Sequence, residues 1–208
     1  MRAYNFAGRW GVCLLSVLIA ATVLAQARRA PTPSGAVPVQ PAKAREPVVI
    51  KKMEAVGQAC RVKTPEFRND ANEPAAPARE WARITLKYET NLDWIDELEF
   101  RFSVVLKDAK ANAFIMFPGS VTYVDIAKGK QHQSTVFLRP ATLERYGEII
   151  WAGVKVYLNG ELLATAQSPD DQRPWTINYK TREGVLLNRD QTPFALVAID
   201  NHGTIKPK

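Results

Sequence analysis

Two stretches of this 208-residue chain alternate apolar and polar side chains with a period of two. In 80–90, Ala82, Ile84, Leu86 and Tyr88 share one parity, and Arg83, Thr85 and Lys87 share the other. In 97–107, Leu98, Phe100, Phe102, Val104 and Leu106 alternate with Glu99, Arg101 and Lys107. Successive side chains of a strand point to opposite faces, so each stretch is predicted to be a half-buried antiparallel strand, with one face on a core and the other in water.

Further strand signals follow at regular spacing. Residues 119–127 read as a strand, Lys128-Gly129-Lys130 as a turn, and 131–139 as the next strand, with His132, Ser134, Val136 and Leu138 alternating. Pro140 to Tyr146 reads as a short helical turn, because proline is tolerated in a first helical turn and Gly147 can supply a left-handed stop. A strand at 148–158 and another at 161–167 are joined by Asn159-Gly160, a dipeptide suited to the positive φ values of a type I′ hairpin. Upstream, Val56, Cys60 and Val62 at even spacing predict a strand over 54–63. A Pro-rich stretch with Pro65, Pro74 and Pro77 separates it from the strand at 80. The expectation is an all-β fold: an immunoglobulin-like antiparallel β-sandwich of about seven strands, with Tyr146 where a tyrosine corner would stand. A C-terminal extension over about 168–208 opens as a loop and regains strand character at 193–200, Pro-Phe-Ala-Leu-Val-Ala-Ile-Asp.

The first residues have a different grammar. Arg2 and Arg9 precede an apolar stretch from Trp10 to Leu24, and Ala25-Gln26-Ala27 offers small residues for cleavage, so 1–27 is predicted to be a secretory signal peptide. At about 15 residues, the apolar run is shorter than the ~20 needed to span a hydrocarbon core. Residues 28–47 contain Pro31, Pro33, Pro38, Pro41 and Pro47 among small residues, as in a semi-rigid polyproline spacer. The chain is therefore expected to be exported to the periplasm, the outer-membrane surface or the medium, with the folded domain over 48–208. Cys13 is expected to leave with the signal, so Cys60 remains without an intrachain disulfide partner.

The formal charge of +7 suggests nucleic acid until it is located. The segment 1–47 takes six basic residues and one acidic, so residues 48–208 keep 22 of the 28 basic and 20 of the 21 acidic side chains. No basic stripe of the kind that tracks phosphates is left, and no nucleic-acid partner is expected.

Catalytic constellations are equally thin. The two histidines, His132 and His202, share no motif with a serine or cysteine, and no G-x-S-x-G occurs. Two imidazoles and one thiol at scattered spacing do not form a zinc set, so neither a metal nor another cofactor is expected. Asp93, Asp96, Glu97 and Glu99 cluster at a strand entry, and Asp170-Asp171 lies in a loop. The cluster reads first as solvated surface, with weak Ca²⁺ binding and acid–base work as the alternatives. The chain is expected not to be an enzyme.

Aromatic side chains are the stronger candidates. Trp81, Trp94, Trp151 and Trp175, with Tyr123, Tyr157 and Tyr179, would serve core packing, a protein interface or a glycan platform. Trp151 and Tyr157 share the parity of Lys155, opposite Val154 and Val156, which places both on the outward face. The candidate interface is therefore Val56, Cys60, Val62, Trp151 and Tyr157. The partners expected are proteins, including a second copy of this chain through addition or exchange of the strand within 48–64, with a glycan as the alternative.

The tail carries a resemblance. Gly184-Val-Leu-Leu-Asn-Arg-Asp-Gln-Thr-Pro-Phe-Ala-Leu-Val-Ala-Ile-Asp200, centred on Gln191-Thr192-Pro193-Phe194-Ala195, is similar to a C-terminal signature of small exported proteins of verrucomicrobial and planctomycete bacteria. With the signal and the sandwich, the chain resembles the small exported component encoded beside the type IV pilus-like machinery of Akkermansia. The resemblance implies an immunoglobulin-like fold and a structural or adaptor role in envelope or pilus-like assembly, and brings no catalytic residues. An ordinary bacterial type IV pilin would begin with a long apolar helix bearing a Glu; a proline spacer stands here instead.

Overall fold

The computed structural model describes residues 46–66, 77–108, 112–171, 173–200 and 204–207. The predicted signal peptide, most of the spacer and His202 lie outside the described residues. The elements are β1 (Val48–Glu54), β2 (Arg61–Lys63), β3 (Glu80–Asp108), β4 (Ala113–Leu138), α1 (Pro140–Tyr146), β5 (Glu148–Leu158), β6 (Glu161–Ser168), β7 (Lys180–Thr181) and β8 (Leu187–Asn188). The fold is an all-β sandwich.

Its frame is one long hairpin. β3 has 29 residues and β4 has 26, several times the usual strand length, and they pair antiparallel from Ala82↔Leu138 to Asp108↔Ala113. The break expected between the strands at 80–90 and 97–107, and the turn at Lys128-Gly129-Lys130, are not there. Each long strand passes through a register shift between Tyr88 and Trp94 without leaving the sheet. Thr90 explains how. Its buried hydroxyl donates to Ala127 O (3.0 Å) and accepts from Gly129 N (2.9 Å), satisfying backbone groups that the shifted ladder leaves open. Beside it, Asn91 N–H donates to Pro47 O and its side-chain amide to Glu46 O.

The shift divides the hairpin into two layers. Before it, residues 80–90 of β3 pair with β1, β2 and the second half of β4. After it, residues 94–108 pair with the first half of β4 and with β5, and β6 extends that layer. The alternation read from the sequence sets what lies between: Ile84, Leu86 and Tyr88 of one half share a core with Leu98, Phe100, Phe102 and Val104 of the other. Tyr88 and Phe100 meet at 5.0 Å between ring centroids, and Phe100 meets Tyr123 edge-on at 5.6 Å.

The first strand differs from the expectation of 54–63. β1 ends at Glu54, Gly57 takes φ +78°, a single 3-10 turn covers Gln58–Cys60, and β2 resumes at Arg61. Both short strands pair with β3 of their own chain, and Val48, Ala55 and Cys60 enter the core. The ends of the Pro-rich connection are tied together: Thr64 N–H donates to Arg79 O (2.9 Å) and Thr64 Oγ1 accepts from Arg79 N (3.1 Å). The segment closes back on its own sheet.

α1 lies where expected, with Pro140 at its start and Gly147 at φ +80° after Tyr146. Tyr146 packs edge-on against Phe117 and its hydroxyl accepts from Arg182, a tail residue. Asn159 (φ +50°) and Gly160 (φ +82°) close the β5–β6 hairpin as a type I′ turn requires. Gly160→Val should therefore lower stability by about 1 kcal/mol or more, since a β-branched residue resists positive φ. Denaturant unfolding checks this, and an unchanged midpoint would remove the strain argument.

The tail is docked, not extended. β7 runs parallel to β4 at Ile115 and Met116, which makes the sheet mixed, and β8 pairs antiparallel with Val136 and Phe137. Residues 193–200, expected to be a strand, form successive turns instead: Thr192 O accepts from Ala195 N and Phe194 O from Val197 N. High β propensity yields here to tertiary anchoring, with Phe194 and Ile199 packed on the Trp81 cluster and Asp200 bonded to Arg189 and Tyr123.

Candidate functional site

The outer face of the second layer holds a groove of about 550 Å³. Its floor follows from register. Ser103 of β3 lies between Pro118 of β4 and Gly153 of β5, and the next outward residue, Arg101, lies between Ser120 and Lys155. Small residues on three adjacent strands leave a depression, and two parts of the tail wall it, Trp175 on the β5 side and Glu183-Gly184 with Leu186 on the β4 side. Gly153 is needed for this shape. A Cβ there would come within 2.3 Å of the Trp175 ring and 2.4 Å of Trp151.

Three of the four charged side chains of the groove contact a neighbour. Arg101 makes two 2.8 Å bonds to Glu99 and lies 4.3 Å over the Tyr157 ring. Lys155 Nζ sits 4.9 Å from the Trp175 centroid. Trp175 donates from Nε1 to Gln167 Oε1 (2.5 Å) and meets Trp151 edge-on at 4.8 Å. Preset donors, acceptors and ring surfaces give the groove the means to bind a polar ligand without first ordering its own side chains.

A second polar cluster underlies the C-terminal signature. Arg189 is 2% exposed and pairs with Asp200, whose side chain is fully buried, at 2.6 Å. The Tyr123 hydroxyl donates to the other Asp200 oxygen (2.8 Å) and accepts from Thr135 N (3.3 Å). Burial pushes the Asp200 carboxyl above its ordinary value, while Tyr123 and Arg189 pull it back, and burial followed by the Asp200 charge drives the Tyr123 hydroxyl well up. Asn188 and Gln191 form a reciprocal capping box around the turn at Arg189–Gln191. Phe194 then stacks on Phe137 at 4.7 Å and meets Trp81 edge-on at 5.8 Å, closing a small core on the outer face of the first layer. The signature residues thus fasten the tail to the sandwich.

The predicted interface residues do not form one surface. Trp151 is corrected from outward-facing to buried: its parity does point outward, but Trp175 covers it and its Nε1 donates to Asp171 O (2.9 Å). Tyr157 is half-buried at the groove, under Arg101. Val56 and Cys60 line a separate pocket of about 260 Å³ with Arg61 and Glu148, and Val62 packs on the Trp81–Phe194 cluster. Cys60 is buried, its thiol donates to Gly57 O at 3.0 Å, and burial pushes that thiol up. The strand-entry carboxylates are spread among separate cations: Asp93 to Lys128, Glu97 to Lys206 and Glu99 to Arg101. Among the described residues no group of three or more His, Cys, Asp or Glu is placed to hold a metal, and no helix is long and apolar enough to cross a membrane. Sequence reading named Tyr157 but missed Arg101, Ser103 and Glu183 as its companions. The one available signal was the run of small outward residues opposite them.

A protein-family model matches residues 40–208, spanning the whole sandwich and the docked tail. The chain belongs to that family. Its fold is similar to that of a solved crystal structure from Akkermansia muciniphila, with a TM-score of 0.65 and 22% identity, covering 77% of this chain and 93% of that one. That likeness is one of fold. No curated protein matches the chain.

Proposed function

We propose that this chain is a non-catalytic exported protein of the cell envelope, built on an immunoglobulin-like plan, with a structural or adaptor role in pilus-like or surface assembly. The observation that carries the reading is the unguarded edge of β6, which β1, with Lys51 and Lys52, faces across a groove. Among the described residues β6 pairs with β5 alone and β1 with β3 alone, yet Ile50–Met53 and Thr165–Gln167 line one groove of about 330 Å³. β6, ELLATAQS, carries neither Lys nor Pro, its only charge is Glu161, and Leu162 is 48% exposed. Edges meant to stay free are usually blunted by charge or proline, whereas an unguarded edge offers main-chain donors and acceptors to an added strand. The fold likeness to an Akkermansia protein agrees with the sandwich on which this reading is built.

The test places a photo-crosslinking residue at Glu161, an exposed residue of β6, in the cells that make the protein. A crosslink to a second copy or to another envelope protein is expected, and Leu162→Lys with Thr165→Lys should abolish it while thermal unfolding stays unchanged. Recovery of the chain in the cytosol, or a crosslink that survives both lysines, would overturn the reading. A glycan-binding module is the second reading, favoured by the groove over Ser103.

A further inference from the structure

We propose that the groove over Ser103 and Arg101 is a binding site for a neutral oligosaccharide. It uses none of the β1 or β6 edge residues, so it stands apart from the assembly reading. Four features of the groove select this ligand class.

Size comes first: about 550 Å³ falls within the roughly 300–1,000 Å³ of ligand sites, room for a few sugar rings. Charge is second. Arg101 and Lys155 are balanced by Glu99 and Glu183, so the groove has no net sign with which to prefer an anion or a cation. Third, the same groups offer donors and acceptors side by side, with Ser103 and Ser120 supplying both, which suits hydroxyls that donate and accept at once. Fourth, Tyr157 and Trp175, whose rings carry Arg101 and Lys155, add apolar ring edge to the groove, and both are already fixed by neighbours.

A peptide is the less suitable occupant. Along Glu99–Ser103, β3 is hydrogen-bonded to β4 on one side and to β5 on the other, so the central strand of the floor has no free backbone edge on which a peptide strand could pair. Binding over β3 must proceed through side chains, and those present match polyhydroxylated rings.

Isothermal titration of the full chain with maltotetraose, cellotetraose, mannotetraose and tetra-N-acetylchitotetraose, read in parallel by tryptophan emission, tests the proposal. At least one is expected to bind saturably. Ser120→Trp, which fills the floor from an exposed position, should weaken that binding by about tenfold or more, as should Tyr157→Ala. Thr165→Lys on the β6 edge should bind as the parent does. Circular dichroism confirms the fold of each variant, and if Tyr157→Ala unfolds, Ser120→Trp decides. The proposal is overturned if none of the four sugars titrates, if Ser120→Trp binds as the parent does, or if a polygalacturonate or a peptide occupies the groove more tightly than every neutral sugar.

Discussion

Arg189→Met should destabilise the protein by about 3–5 kcal/mol, the cost of leaving a buried charge without its partner. Asp200 has a fully buried side chain, and the substitution removes its one paired cation, leaving the Tyr123 hydroxyl and a backbone N–H to hold the carboxylate. Arg189 also pairs with Asp190 at 3.1 Å, but Asp190 is 50% exposed and solvent screens that contact. Asp190→Asn should therefore change stability by less than about 0.5 kcal/mol, although both carboxylates bond to the same guanidinium. Replacing both buried partners, Arg189→Met with Asp200→Leu, should cost less than the two single changes together, because no orphan charge is left. Urea unfolding of the four variants measures each value. Equal effects of Arg189→Met and Asp190→Asn would show that the buried pair does not hold the tail.

Phe194→Ala is expected to cost about 3 kcal/mol, near the lower end for a buried phenylalanine. Phe194 is 4% exposed between Phe137 and Trp81, and those two contacts join the tail to the outer face of the first layer. The loss should stay at the lower end because the cluster is small and separate from the central core. Leu196, two residues on and 80% exposed, is the control: Leu196→Ala should be near neutral. Calorimetry of both variants checks the contrast, and similar melting temperatures would mean that the turn over 193–200 is not anchored through Phe194.

The two expectations for the tail show where a sequence stops being informative. Pro193 to Asp200 has the composition of a strand, and composition cannot report that the nearest sheet edge is already taken by β8, two residues long. The same holds for Trp151. Its parity was read correctly, but what covers the outward face at that position is Trp175, from a segment 24 residues later in the chain. The break expected between 90 and 97 and the turn expected at 128–130 failed for a local reason that still needs a neighbour: charged and glycine residues there mark a bulge once Thr90 bridges to Ala127 and Gly129 across the hairpin.

What the sequence alone determined is what depends on nearest neighbours along the chain. The period of two fixed which residues of 80–90 and 97–107 face the core. Asn159-Gly160 fixed a hairpin through the φ values those residues accept, and Pro140 with Gly147 bounded the helix. The groove, the buried Arg189–Asp200 pair and the unguarded edge of β6 were decided only in the tertiary structure. Each requires residues far apart in the chain to be brought together, and no local preference encodes which long-range surfaces meet.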